Sequence, residues 1–333
     1  MPKRRVYGAG KNKISRETRR DLSLMRDKDR VVAIVCADIH LTLRPPRARR
    51  HEPDWFEAMA RPLNEIGALA SHYDVPVLCA GDVFDHWRAE PELVNFAINH
   101  LPRMYAIPGQ HDLPLHNLEL MKRSAYWTLV LAQVIEPVIH GVATMISEDV
   151  VVHGFPWGKP IRPLKDSASK KMQVALVHDY FWVDGHCFPG APREHESRKY
   201  LDRVKGYDAV IFGDNHRGFM TVVGGVMVLN CGTLMRRKTD EAEYEPQVGL
   251  LCRSGNIITH KLNTNCDKFE RKEEDCNGTK KSMELWDMKD FVRGLGELEK
   301  TRFDFVQAIE YAMTKRVVSD DIRRIILEAL GRG

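Results

Sequence analysis

The chain has 333 residues, 43% of them hydrophobic and 29% charged, with a formal net charge of +4. This composition is ordinary for a folded protein, and the length allows one large α/β domain with a smaller appendage. No apolar run approaches the roughly 20 residues that cross a bilayer, and the seven cysteines are scattered in a way that favours a reducing compartment. We therefore expect a cytoplasmic protein without membrane contact.

The basic residues are concentrated at the amino terminus. Residues 1–30 contain eleven Lys and Arg against four acidic residues, whereas the remaining chain has 39 against 42. A basic leader of this kind can neutralise nucleic-acid phosphates, although a solvated tail without a partner has the same composition. Charge alone leaves both interpretations open.

Short apolar runs alternate with helical patterns, which predicts a mostly parallel sheet covered by helices. Helices are predicted over Asp54–Tyr73, from about Pro91, over Asn117–Gln133 and over Glu194–Val204. The predicted strands are Val31–Ala37, Val75–Ala80, Met104–Ile107, Val150–Phe155, Val174–Val177, Ala209–Phe212 and Val226–Leu229.

Five predicted strands end in Asp, His or Gln, at the edge where open α/β sheets place their sites. A solvated loop explains any one of these endings, but five in the same position are hard to assign to chance. The residues are Asp38 and His40, Asp82, Gln110 with His111 and Asp112, His178, and Asp214 with His216. Strand alternation would place the Asp38 and His40 side chains on the same side of the chain.

These residue types suit a pair of divalent cations. Two such ions, about 3.5–4 Å apart, activate a water molecule and neutralise charge on a phosphoryl group. Holding them requires a bridging carboxylate with imidazole and oxygen ligands on either side. The pattern therefore predicts a two-metal phosphoesterase site around Asp82.

The ordered motifs ADIH, GDVFDH, PGQHD, VHD and GDNH resemble the five signatures of the calcineurin-like metallophosphoesterase superfamily. Within it, GDVFDHWRAEPELVNFAI followed by PGQHD is similar to the nuclease subunit of SbcCD-type DNA-repair complexes, and Asn230-Cys231-Gly232-Thr233 resembles the turn that closes such domains. The resemblance covers about residues 31–250. It implies an α/β protein with a four-layer αββα sandwich and a small C-terminal helical appendage. It also implies manganese as the activating metal, with magnesium as the other option.

The resemblance further implies roles for individual residues. His111 would face the scissile phosphate, and Asp112 would orient His111. The first metal would be held by Asp38, His40, Asp82 and His216, and the second metal by Asp82, Gln110, His178 and Asp214, with Asp82 shared.

Two residues depart from the common pattern of the family, and both belong to the second metal. Gln110 stands where most relatives have Asn, and Asp214 stands where they have His. Gln offers the same amide oxygen, whereas Asp adds a negative charge and replaces nitrogen by oxygen. We therefore expect the second position to prefer manganese or magnesium over zinc. Weak occupancy with low activity is the alternative.

Four further residues are candidates for contact with DNA phosphates. His86 and Arg88 follow the second motif and could instead cap a loop. Arg236 and Arg237 form a basic cluster beside the closing turn.

The polar stretch near the carboxyl end predicts four regions: a basic leader (1–30), a nuclease domain (31–263), a polar linker (264–282) and a helical region (283–333). Amphipathic helices in the last region could cap the chain's own body or bind a partner. The resemblance implies an SMC-type ATPase docked there, and a homodimer is a further option.

The leading hypothesis is a manganese-dependent DNA nuclease that acts with an ATPase partner in DNA end processing, repair or recombination, in a bacterium or phage. A phosphatase or a nucleotide or lipid-diphosphate hydrolase of the same superfamily is the alternative enzyme. A DNA-binding subunit with little catalysis is the alternative of a different class.

Overall fold

The computed structural model of the protein describes residues 30–164, 170–188 and 191–269. Over these ranges the chain forms two six-stranded sheets. The first contains, in pairing order, β12 (Ile257–Lys261), β11 (Gln247–Cys252), β1 (Val31–Cys36), β2 (Val77–Cys79), β3 (Met104–Ala106) and β4 (Ile135–Pro137). The second contains β5 (Ala143–Met145), β6 (Val150–Phe155), β7 (Met172–His178), β8 (Ala209–Gly213), β10 (Val226–Asn230) and β9 (Phe219–Val223).

Each sheet contains a block of parallel strands, with antiparallel strands added at one edge of the first sheet and at both edges of the second. Strands β1 to β4 pair in parallel, and so do β6 with β7, β7 with β8 and β8 with β10. The added strands β11, β12, β5 and β9 pair antiparallel. The carboxyl ends of the parallel strands within each sheet therefore meet at one edge, which is where polar side chains can converge.

Three α-helices occur in the described part of the chain: α1 (Trp55–Tyr73), α2 (Pro91–His100) and α3 (Ala125–Leu131). Helix α1 begins where predicted, because the Asp54 side chain accepts a hydrogen bond from the Glu57 backbone N–H at 3.0 Å. It ends at Asp74, whose backbone is left-handed (φ 56°). The helices share a buried cluster with the outer face of the first sheet, to which Met59, Phe96 and Tyr126 contribute.

The remaining apolar clusters define the other layers. One cluster lies between the two sheets and joins Val35 and Leu78 of the first to Ile211 and Leu229 of the second. Another covers the outer face of the second sheet and contains the stacked rings of Phe181 and Phe212, with centroids 4.4 Å apart. The expected α/β fold, with two sheets flanked by helical layers, is confirmed.

Two helix predictions are wrong in detail. The Glu194–Val204 segment forms 3₁₀ turns (Arg193–His195 and Ser197–Tyr200), because Glu196 is held extended by backbone pairing with Trp182. The Asn117–Gln133 segment is divided at Ser124, which is extended and caps α3, so residues Leu118–Arg123 form a separate 3₁₀ helix.

The first residues of the predicted linker contact the α/β domain. Asp267 forms ion pairs with Arg49, Arg61 and Arg236, at 2.9, 3.1 and 3.3 Å, and the Lys268 backbone N–H bonds to Glu52. Residues 264–269 therefore pack against the described domain.

The rest of the predicted linker, the C-terminal helices and leader residues 1–29 lie outside the described residues. The described helices include none with the length and apolar character required to cross a bilayer.

Candidate metal centre

The strand ends of both sheets meet at one site. The loop after β1 carries Asp38 and His40, the loop after β2 carries Asp82, and the loop after β3 carries Gln110 and His111. From the second sheet come His178, at the end of β7, and the loop after β8 with Asp214 and His216. The two sheets are joined here by the Asp214 backbone N–H, which lies 3.1 Å from both carboxylate oxygens of Asp38.

The residues expected at the first metal lie together. The Nε2 atoms of His40 and His216 face each other at 3.0 Å, and His40 Nε2 lies 3.7 Å from Asp82 Oδ2 and 4.0 Å from Asp38 Oδ1. Burial lowers the pKa of His40, and it lowers the pKa of His216 to about 3. Both rings are therefore neutral at ordinary pH, which is the form that binds a metal ion.

At the second position, His178 lies among oxygen atoms. Its Nε2 is 2.6 Å from Gln110 Oε1 and 3.4 Å from Asp82 Oδ2. Its Nδ1 lies 2.6 Å from the Ala80 carbonyl, which can only accept a hydrogen bond, so Nδ1 carries the proton and Nε2 faces the site. Although burial opposes the charged ring, the carboxylates of Asp82, Asp38 and Asp214 raise the pKa of His178. This local excess of negative charge is what a cation would neutralise.

Gln110 and Asp214 are bonded to each other. Gln110 Nε2 donates to Asp214 Oδ1 at 2.5 Å, and this bond turns Gln110 Oε1 towards His178. The three-residue clusters with metal-ligand geometry include Asp38, His40 and His216, as well as Asp38, Asp82 and His178. Asp214 lies next to these clusters and holds Gln110 in place.

The hydrogen bonds of the Asp82 carboxylate show whether these residues fit metal ions. Its Oδ1 accepts the His111 backbone N–H at 2.9 Å, but its Oδ2 is buried and makes no hydrogen bond to any described residue. A buried carboxylate oxygen without a partner is costly. Nitrogens of His40 and His178 lie 3.7 and 3.4 Å from this oxygen, so cations held with these histidines would give it a partner. The donor set therefore fits two divalent ions that share Asp82.

Two glycines allow the ligands to approach. A Cβ atom at Gly109 would collide with Asp82 and His178, and one at Gly81 would collide with the His178 ring. Gly81 also has a φ of 102°, which side chains rarely adopt. Both loops can therefore pack their backbones directly against the metal ligands.

Four candidate ligands have left-handed backbones: Asp38 and His40 (φ 50° each), Asp82 (54°) and Asp214 (78°). The alternation argument for Asp38 and His40 is thus wrong, because neither residue continues the strand. Left-handed turns, supported by hydrogen bonds from their backbone N–H groups to Gly81 and Asp82, direct both side chains into the site.

The expectation that Asp112 orients His111 is also wrong. The Asp112 carboxylate is fully buried and accepts the backbone N–H groups of Val83, Phe84 and Gly109 at 3.0–3.2 Å. It thereby ties the loop after β2 to the loop after β3. Burial, reinforced by Asp82, raises the pKa of Asp112 to about 7. His111 is instead oriented by the Asp85 carbonyl, 2.8 Å from its Nδ1.

The four predicted DNA contacts divide into two pairs. His86 and Arg88 are exposed, and together with Arg44 they line a pocket of about 330 Å³ that also includes Asp85. Arg236 and Arg237 are largely buried in ion pairs with Asp267 and Asp85. The structure therefore shows the second pair in ion pairs within the protein, and its contact with phosphate stays a prediction.

Sequence reasoning missed the residues that support the ligands. Asn230 donates through Nδ2 to the carbonyls of Asn215 and Arg217, at 2.6 and 2.9 Å, and fixes the loop that carries Asp214 and His216. Asp85 contacts both His40 and His111. Asp85 is part of the GDVFDH motif, three residues after Asp82, and this position in the motif could have drawn attention to it.

The sequence matches the calcineurin-like phosphoesterase family over residues 32–218, more than half of the chain. The protein therefore belongs to this family of metal-dependent phosphoester hydrolases. When bound, the two ions would supply an activated water and neutralise the phosphoryl oxygens.

Curated proteins give no match to the sequence. Similar solved structures include a protein of Thermus thermophilus, with 14% identity and a TM-score of 0.42, covering 70% of this chain and 99% of its own. An archaeal phosphodiesterase has 13% identity and a TM-score of 0.34, with 69% and 99% covered. The phosphopantetheinyl hydrolase of Mycobacterium tuberculosis has 12% identity and a TM-score of 0.38, with 66% and 94% covered. Likenesses this weak do not distinguish one activity from another.

Proposed function

We propose that the protein is a manganese-dependent DNA nuclease that hydrolyses phosphodiester bonds, similar to the SbcCD-type nuclease subunit. The observation that carries the proposal is the combination of His111 and the adjacent basic pocket. His111 is an open member of the site: its side chain is 40% exposed, whereas those of Asp38, Asp82, His40 and His178 are fully buried. A phosphate bound over the metal positions would meet His111 from the solvent side.

The adjacent pocket, called the basic pocket after Arg44, His86 and Arg88, adds a second place for an anionic substrate. Its lining also includes the acidic Asp85, which is paired with Arg237, and Glu90, and Leu41 and Leu93 contribute apolar surface. Asp85 belongs both to this pocket and to the support of His111, so the pocket directly adjoins the proposed reaction centre. A polynucleotide has further phosphates on either side of the one that reacts, and these could be bound by such a rim.

The roles of the side chains follow from their positions. His111 donates its Nδ1 proton to the Asp85 carbonyl, so its Nε2 is free to face the phosphate. With a second proton on Nε2, the imidazolium form of the ring would donate a hydrogen bond to the phosphate or protonate the departing oxygen. The side chains assigned to the first metal are Asp38, His40, Asp82 and His216. Those assigned to the second are Asp82, Gln110 and His178, with Asp214 either as a ligand or as the residue that holds Gln110.

The oxygen-rich second position supports the choice of manganese. Gln110, Asp82 and Asp214 offer hard oxygen atoms, which suit Mn²⁺ or Mg²⁺ better than Zn²⁺. We expect metal-stripped protein to recover the most activity with Mn²⁺. Zinc as the best activator would contradict this assignment.

The deciding experiment incubates the purified full-length protein with Mn²⁺ and linear duplex or single-stranded DNA, beside an Asp82→Ala variant. Cleavage by the wild type alone supports a nuclease. Hydrolysis of bis-p-nitrophenyl phosphate or of a nucleoside or lipid diphosphate, without cleavage of DNA, would identify the alternative enzyme. Binding of DNA with no hydrolysis of any substrate would identify a weakly catalytic DNA-binding subunit.

We also propose that an SMC-type ATPase binds the region 283–333, which lies outside the described residues. Deletion of this region is expected to abolish co-purification with that ATPase and to preserve hydrolysis of bis-p-nitrophenyl phosphate. Unchanged co-purification would exclude the docking role.

A further inference from the structure

Asp85 contacts two histidines and one arginine at the edge of the metal centre. Its Oδ1 atom lies 3.4 Å from His40 Nδ1 and 2.5 Å from Arg237 Nη2. Its backbone carbonyl lies 2.8 Å from His111 Nδ1. A single residue thus touches an expected metal ligand and the histidine that faces the substrate.

These contacts favour a proton on one particular nitrogen of each ring. A carbonyl oxygen can only accept, so Nδ1 of His111 is a donor and its Nε2 points away from Asp85. A carboxylate oxygen likewise favours a proton on His40 Nδ1, which directs the Nε2 lone pair into the site, 3.0 Å from His216 Nε2. The 3.4 Å separation of His40 Nδ1 from Asp85 is long for a hydrogen bond, and Nδ1 is otherwise buried without a partner among the described residues.

Arg237 holds Asp85 in this position. The arginine lies in the loop after β10, in the second sheet, whereas Asp85 follows β2 in the first. The Arg237 side chain is only 16% exposed, and its backbone N–H is itself fixed by Glu241 Oε2 at 2.6 Å. The ion pair therefore connects loops of the two sheets directly beside the ligands.

We propose that Asp85 is a positioning residue that fixes the ring nitrogens of His40 and His111 together, with Arg237 as its anchor. The part that concerns His111 rests on the proposed phosphodiesterase function. The part that concerns His40 requires only that the site binds metal. A purely structural ion pair between Asp85 and Arg237 is the competing explanation.

The first test is Asp85→Asn, compared with Asp184→Asn as the matched control. Both substitutions replace a loop aspartate by asparagine, but Asp184 is exposed and lies in the loop after β7. We expect Asp85→Asn to weaken one of two Mn²⁺ binding steps by about 10–100-fold in calorimetric titrations of metal-stripped full-length protein. Asp184→Asn should bind as the wild type does. Wild-type affinity for both ions in Asp85→Asn would overturn the proposal.

A second measurement does not depend on the folding of a variant. Long-range ¹H–¹⁵N spectra of metal-free wild-type protein with labelled histidine report the protonation of each ring nitrogen. We expect protonated Nδ1 atoms in both His40 and His111. An unprotonated Nδ1 in either ring would contradict the positioning role.

Neither readout involves a substrate, so failure of the proposed function can be recognised separately. If the wild type hydrolyses no phosphodiester while Asp85→Asn loses metal affinity, the nuclease assignment fails and the positioning of His40 stands. If the wild type cleaves DNA and Asp85→Asn binds both ions normally, the positioning role fails and the nuclease assignment stands.

Discussion

The two halves of the metal centre differ in how their side chains are arranged. In the half that would hold the first metal, His40 and His216 direct nitrogens at one another across 3.0 Å. In the half that would hold the second, Gln110 and Asp214 bind each other at 2.5 Å, and only Gln110 Oε1 is turned towards His178. In the first half, the two histidine nitrogens face the same point. In the second half, the Asp214 carboxylate orients the uncharged amide of Gln110.

This difference follows from the two residues that depart from the family pattern. A carboxylate at position 214 can accept from the amide of Gln110, which is one methylene longer than Asn and so reaches it. The two departures therefore act as a bonded pair. Because an amide oxygen is a weaker donor than a carboxylate, we expect the second position to bind its metal less tightly than the first.

The largest effect is expected from a substitution of Asp82, because both halves of the metal centre share this ligand. Asp82→Asn takes away the shared carboxylate charge, so we expect about 10³-fold or greater loss of activity on bis-p-nitrophenyl phosphate, equivalent to about 4 kcal/mol of barrier. Metal-dependent thermal stabilisation should disappear with it. Asp74→Asn is the control, since Asp74 has the same left-handed backbone at the far end of α1. Retention of Mn²⁺ stabilisation in Asp82→Asn would remove the basis for a shared ligand.

His111→Gln should separate chemistry from metal binding in both halves. We expect DNA cleavage to fall by about 10²–10⁴-fold, the usual contribution of a positioned acid or base, with unchanged Mn²⁺ affinity. The loss should be smaller on bis-p-nitrophenyl phosphate, because its leaving group needs no proton. His72→Gln, on the exposed face of α1, is the control. An equal loss on both substrates would argue against proton donation to the leaving oxygen.

Asp214→Ala should affect the second half alone. Without its acceptor the Gln110 amide can rotate, so we expect the second Mn²⁺ to bind about 10-fold more weakly and the first to bind normally, as measured by calorimetry. Asp184→Ala makes the same change on an exposed loop and should have no effect. If both ions were weakened equally, the two halves would be coupled more closely than their contacts indicate.

The smallest effect is expected outside both halves, in the basic pocket. Arg88→Ala should weaken DNA binding a few-fold and reduce the slope of log affinity against log salt by about 1, since one phosphate contact is lost. Arg103→Ala, at the opposite end of the first sheet just before β3, should leave the slope unchanged. Identical slopes for both variants would remove Arg88 from the DNA-binding surface.

The sequence was informative about residues at strand ends and uninformative about what supports them. Asp38, Asp82, His178 and His216 could be placed near one another because buried apolar runs identify parallel strands, whose carboxyl ends meet. Asp85 could not be assigned a role, because its importance comes from Arg237, which lies 152 residues away. The role expected of Asp112 was wrong for the same reason, because its partners, the backbone N–H groups of Val83 and Phe84, are distant in sequence.

The elements of the fold also differed in how well the sequence predicted them. Central strands such as β1 are continuous apolar runs and were predicted, whereas the edge strands β4, β5, β9 and β12, and β11 next to β12, were not. The exposed residues in β9 and β12, such as Met220 and Ile258, hide the pattern of a buried strand. The helix predicted over Glu194–Val204 failed because pairing of Glu196 with Trp182, a contact distant in sequence, prevails over local helical periodicity.

The left-handed backbones of Asp38, His40, Asp82 and Asp214 restrict which amino acids these positions can accept. Apart from glycine, such a conformation is adopted most readily by Asp, Asn and His, and only at high cost by branched side chains. Asp and His are also residues that coordinate divalent ions. Main-chain geometry and ion chemistry therefore favour the same few residue types at these positions. An exchange between Asp and His at position 214 can alter the ion preferred there without disturbing the turn that presents it.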